Sequence, residues 1–209
     1  MRSQKKNVAM LCLFYFLSYI AFVLPYGYMQ TFLEYVGYDV VERGIILSGT
    51  AVVAIITQFF IGYLCDKYKT DKKFFNLCLI DFVLSTLVMY QVTQRNFFLH
   101  LIFISLVGGM FRTTLAVQDT WTLETSETCR NNFGPIRAFG AIGWMIGSPI
   151  GALVVEHYGY PALGYVFAGL AVLNIVLTMF MQDAVKVEKS GGIHATDLKE
   201  LLLDKKYVV

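Results

Sequence analysis

The sequence predicts an all-α integral membrane protein, a bundle of six transmembrane helices, on three observations. Hydrophobic residues make up 56% of the 209 residues and charged residues only 15%, and the mean hydropathy is +0.58. The apolar residues fall in six windows near the roughly 20 residues that cross a hydrocarbon core: 8–33, 44–64, 74–92, 97–123, 135–155 and 162–181. Lysine and arginine are partitioned between alternate connectors. With the N-terminus inside, the inner segments hold Arg2, Lys5, Lys6, Lys67, Lys69, Lys72, Lys73, Arg130 and the tail lysines, and the outer loops only Arg43 and Arg95. That bias places both termini on the inner side.

Span one (8–33) follows a basic segment, but its apolar core exceeds the ~7–15 residues of a signal-peptide h-region, so it is read as a retained span. Pro25 and Gly27 predict a bend, tolerated where neighbours satisfy the freed carbonyls. Tyr19 and Tyr26, seven positions apart, belong to an interfacial belt or help to line a cavity. Span two (44–64) places Gln58 deep, where it must face protein or water. Its end carries Gly62, Asp66 and Lys67, followed by Lys72 and Lys73. Gly62 permits close helix packing, Asp66 is placed to cap or clamp a neighbouring helix, and the lysines are also explained by topology alone.

Span three (74–92) carries Asp81, and span four (97–123) carries Arg112 and Asp119. A charge inside a span costs roughly 2.5–3.5 kcal/mol on the insertion scale, so each of these must meet a partner or water. Asp81 and Arg112 fall at matching depth, so the structural alternative for them is a buried ion pair with each other. Thr128 lies midway between Asp119 and Arg137. A hairpin turning there brings that acid and that arginine to one depth, each at most ~13 Å from the tip. They are then either a structural salt bridge or a ligand-binding pair.

Span five (135–155) is the most organised stretch. Arg137 opens it, and Gly140, Gly143, Gly147 and Gly151 share one helical stripe. Such a stripe lets another helix approach to backbone contact. Trp144, seven residues after Arg137, lies on the same face as that arginine. Span six (162–181) is scaffold apart from Asn174 and Thr178. Residues 184–209 read as an inner linker with a leucine-sided helix, lying on the membrane surface or leading to a further span. The four cysteines and three histidines have no metal-ligand spacing. No nucleophile–base pair and no phosphate loop occur, so neither an enzyme nor a cofactor site is expected. The net charge of +2 reflects topology rather than nucleic-acid binding.

Gly62-x-x-x-Asp66-Lys67 with the basic pair Lys72 and Lys73 resembles the inner-loop motif of the major facilitator superfamily, with Lys69 where a second glycine is usual. Phe133-Gly134-x-x-Arg137-x-Phe139-Gly140-x-x-Gly143-Trp144 resembles span five of its oligosaccharide–proton symporter branch, the lactose permease group. Val107-Gly108-Gly109, Gly44-Ile45-Ile46 and Gln58 ahead of Gly62 agree with that branch. The resemblance covers roughly residues 7–183. It implies that residues 1–183 form an N-terminal six-helix half of two inverted three-helix repeats, facing a second half across a mid-membrane solute site. It further implies that Arg137 binds sugar hydroxyls and pairs with Asp119, that Trp144 stacks on the sugar ring, and that transport is coupled to protons. Arg112 departs from the pattern and hints at a more polar or anionic ligand.

The favoured reading is therefore a proton-coupled sugar symporter half in the cell membrane (plasma or inner). Its partners are the solute, a proton, the lipid bilayer and a second six-helix half. A nucleoside or organic-anion transporter of the same superfamily is one alternative. A non-transporting scaffold or truncated remnant is another; it predicts no solute binding and no dependence on Asp119 or Trp144.

Overall fold

The computed structural model describes residues 2–185, which form eight helices. They are α1 (Arg2–Gly27), α2 (Met29–Val36), α3 (Val40–Tyr68), α4 (Asp71–Gln91), α5 (Phe97–Thr125), α6 (Glu127–Asn131), α7 (Phe133–Tyr158) and α8 (Tyr160–Met179). The six segments Lys6–Val36, Val40–Tyr68, Asp71–Gln91, Phe97–Thr125, Phe133–Tyr158 and Tyr160–Met179 are long and apolar enough to cross a membrane. No strand occurs among the described residues. The surface helix expected in 184–209 lies, from 186 onward, outside them.

The packing has the symmetry of two three-helix repeats. Helix α1 packs chiefly on α7, and α3 on α5. Exchanging the first three spans for the last three converts one contact into the other. Burial follows the same pairing. The first spans of the two repeats are 56% and 50% buried, the second spans both 22%, and the third spans 44% and 33%. Thus α1 and α5 hold the centre, while α3 and α7 flank it with one side free.

Local sequence sets the ends. Asp39 and Glu42 form a capping box at the start of α3. Thr70, Asn96 and Ser126 cap α4, α5 and α6. Lys69 ends α3 in the left-handed region (φ 53°), a conformation glycine adopts at less cost. Span one breaks at Tyr28 rather than running on as one helix. Two of its carbonyls near the break, those of Leu24 and Pro25, accept from the Tyr90 hydroxyl (2.9 and 3.1 Å). That satisfies backbone which lipid could not.

One joint at the lysine-rich end was not foreseen. The Asp183 carboxylate accepts from the Thr70 hydroxyl and from the N–H groups of Asp71 (3.2 Å), Lys72 (3.0 Å) and Ala184 (2.8 Å). The Lys72 ammonium donates in return to the carbonyls of Met179 (3.4 Å), the last residue of α8, and of Met181 (3.0 Å) just beyond it. An acid thus seals the N-terminus of α4 and a cation the C-terminus of α8, each favoured by the helix dipole. The acid that clamps the start of α4 is Asp183. Burial works against ionisation of Asp183, but these hydrogen bonds outweigh it and hold the carboxyl below its ordinary 3.8. Its contribution to stability is therefore complete above pH 3.8 and is lost as pH falls through the lower folded value. Asp183→Ala is expected to cost about 1 kcal/mol at neutral pH, as lost helix caps do. Thermal melts in detergent check this: the curves of variant and parent should draw together in the acidic range.

Candidate solute site

Helices α3, α5 and α7 each present a polar or small-residue row on the bundle's free side. On α5 the row is Arg112, Ala116 and Thr120, all exposed; on α3 it is Ser48, Ala51, Gln58 and Gly62, interrupted by the exposed Ile55. On α7 it holds Arg137 and Ala141. A separate apolar row runs beside it on both flanking helices. Val52, Ile56, Phe59 and Tyr63 form it on α3, and Phe139, Ile142, Ile146 and Leu153 on α7. The apolar rows suit lipid; the polar rows need water or protein.

The short helix α6 turns the chain between α5 and α7, so that Asp119 and Arg137 meet. Arg137 Nη2 lies 3.6 Å from Asp119 Oδ2, with side chains 52% and 25% exposed. An ion pair this wet contributes only about 0–1 kcal/mol to stability. It therefore stabilises the bundle little, and both groups keep hydrogen-bonding capacity for a ligand. From behind, the buried Tyr15 of α1 donates to Asp119 Oδ1 at 2.7 Å, and Thr122 donates to the Tyr15 hydroxyl at 3.3 Å. Each carboxylate oxygen thus has its own partner. A second polar chain, Gln118 to Ser18 to Asn174 (3.3 and 2.8 Å), ties α5 and α1 to α8 behind the pair.

Helices α5 and α7 run antiparallel, so the residues two turns back from Asp119 and two turns on from Arg137 come level. These are Arg112 and Trp144. The Phe111 ring, beside Arg112 in the chain, is centred 6.0 Å from Trp144. Tyr19, Arg137, Ala141 and Trp144 line an open recess of about 330 Å³. Trp144 is half-buried, with Tyr19 and Tyr26 edge-on at 6.4 Å.

The glycine stripe of α7 is buried against α1. A Cβ at Gly143 would stand 2.3 Å from the Phe16 carbonyl oxygen, and one at Gly147 2.9 Å from that of Ile20. Gly140 and Gly151 lie under the rings of Tyr19 and Tyr28. The stripe presses α1 onto α7, and so sets Tyr19 beside Arg137.

Other expected residues lie elsewhere. Gly62 packs against no helix here: a Cβ there would meet nothing within 4 Å. With Gln58, Asp66 and Thr120 it lines a second recess, of about 260 Å³, toward the lysine-rich end. Lys67 lies over the rings of Tyr63 and Tyr68, and Lys73 is exposed at the start of α4. Asp81 and Arg112 form no ion pair. Phe82 meets Phe111 across the α4–α5 contact, at 6.3 Å, while Arg112 points to the free side. Matching depth was right, but the azimuth around the helix was not. Tyr15 was missed; the signal was its spacing of four from Tyr19 on the same face. Among the described residues no cluster of His, Cys, Asp or Glu suits a metal ion.

Tyr15→Phe removes one partner of Asp119 and leaves the bundle intact. The bond is made before any solute arrives, so its loss should cost the fold about 1.5–3 kcal/mol, and a solute held by Asp119 should bind more weakly because that carboxylate is no longer fixed. Calorimetric titration checks the affinity and thermal melts the stability, with the midpoint expected a few degrees below the parent's.

The sequence model of the MFS_1 like family matches residues 8–209. Among solved structures, a mutant of the nucleoside transporter NupG superposes with a TM-score of 0.78 at 16% identity. The match covers 96% of this chain and 51% of that one, so this chain spans about half its length. A search of curated protein sequences finds no match.

Proposed function

The chain belongs to the MFS_1 like family, as a multi-pass membrane transporter domain of the major facilitator superfamily rather than an enzyme, and we propose that it is the N-terminal six-helix half of a secondary transporter for a sugar or related small polar solute. The single observation that carries this reading is the wet Asp119–Arg137 pair beside Trp144 in an open recess. Arg137 and Asp119 hydrogen-bond the hydroxyls of the solute, and Trp144 meets an apolar ring face. A second six-helix half, from the same chain or another copy, closes over the free side. Rocking of one half against the other gives alternating access. In this reading a proton is cotransported and the protein sits in the plasma or inner membrane.

The lysine-rich end is taken as cytoplasmic. The loops at the opposite end hold only two basic residues, Arg43 and Arg95, which bond Glu34 and Glu42. The excess of lysine and arginine therefore stands at the other, lysine-rich end.

Likeness in fold to a nucleoside transporter favours a nucleoside as the second reading, with the base on Trp144. A calorimetric binding screen of the full-length protein against neutral mono- and disaccharides and nucleosides tests both. Saturable binding to one class supports transport of that class; silence across the panel, with the protein folded, rejects both the neutral-sugar and the nucleoside reading.

A further inference from the structure

We propose that the solute is an anion: a polyol with one apolar ring face and a carboxylate or phosphate held by Arg112. This rests on reading the recess beside Trp144 as a solute site. Three observations carry it. Arg112 sits near the middle of α5, with its side chain exposed on the polar row. Among the described residues its guanidinium has no hydrogen bond and no ion pair, and the acid at matching depth, Asp81, does not pair with it, its Oδ2 being buried without a partner. It also stands level with Trp144, two turns from the Asp119–Arg137 pair on the same face of α5.

Asp66, Asp71 and Glu124 line the recess nearer the lysine-rich end; between there and the level of Trp144 the charges on this face do not cancel. Two guanidiniums, Arg112 and Arg137, face one carboxylate, Asp119, which Arg137 already engages. One positive charge is left at a depth where an unmatched arginine is costly. A neutral sugar supplies hydroxyls to Arg137 and Asp119 but nothing that offsets Arg112. An anionic group on the ring that meets Trp144 does. The rungs are about 10 Å apart along the helix, so one ring with a charged substituent reaches both. Electrostatic matching of this kind excludes the wrong charge more than it adds affinity.

The test uses two matched pairs of probes on the full-length protein. One pair is 4-nitrophenyl glucoside and 4-nitrophenyl glucuronide, in both anomers; the other is uridine and uridine 5′-monophosphate. Within the pair that binds, the anionic member should bind about tenfold more tightly, or more. Arg112→Gln should abolish that preference while leaving the neutral member's affinity unchanged. Arg112→Lys, which keeps the charge, should retain most of it. The inference is overturned if neutral members bind as tightly as anionic ones, or if Arg112→Gln weakens both alike. Arg112 would then serve an acid of the other half, and the solute-site reading would stand. If no probe binds, both fall.

Discussion

Arg137→Lys should bind the transported solute on the order of a hundredfold more weakly than the parent, at an unchanged thermal midpoint. Lysine keeps the positive charge opposite Asp119, so membrane insertion and the partly exposed ion pair survive. It loses the planar fork that can hold Asp119 with one edge and two solute hydroxyls with the other. Two charge-assisted hydrogen bonds lost together cost about 3 kcal/mol, less whatever water restores. The side chain is half exposed and the pair contributes little to stability, so the loss appears in affinity and not in melting. Calorimetric titration and thermal unfolding on one preparation separate the two. An affinity within threefold of the parent would remove Arg137 from the site. A midpoint several degrees lower would make the pair a structural bridge.

The site was legible where chemistry and spacing coincide. Arg137 and Trp144 are seven residues apart on one helix, so helical geometry alone puts them on one face. Asp119 followed from folding a hairpin at Thr128, which fixes depth. Depth did not suffice for Asp81, because pairing also needs the two helices rotated toward each other. The α4–α5 contact runs through Phe82 and Phe111, roughly 100° around α5 from Arg112. Rotation is decided by packing across several helices, which no single span records. Tyr15 escaped for a related reason: a tyrosine among phenylalanines reads as apolar filling until its hydroxyl is seen to reach Asp119. Asp183 lay beyond the last span, and its partner in α4 is distant in sequence, so the joint it makes had no local pattern. The glycine stripe announced that a helix would approach, but not that it would be α1.

That stripe gives the other large effect. Gly143→Leu should cost about 3 kcal/mol, at the upper end for overpacking, and empty the recess of its binding competence. The first added atom already meets the Phe16 carbonyl oxygen at 2.3 Å, and this is backbone, which cannot rotate aside. Helix α1 must move away from α7, taking Tyr19 from Arg137 and Tyr15 from Asp119. A melting point several degrees lower, with solute binding lost, is the expected result for the folded fraction. Gly62→Ala is the matched control, since its Cβ meets nothing within 4 Å and the bundle should melt as before. If Gly62→Ala nevertheless impairs uptake in cells, the contact that Gly62 serves lies on the second half. If Gly143→Leu melts and binds like the parent, α1 and α7 do not pack through this stripe, and the placement of Tyr19 beside Arg137 loses its cause.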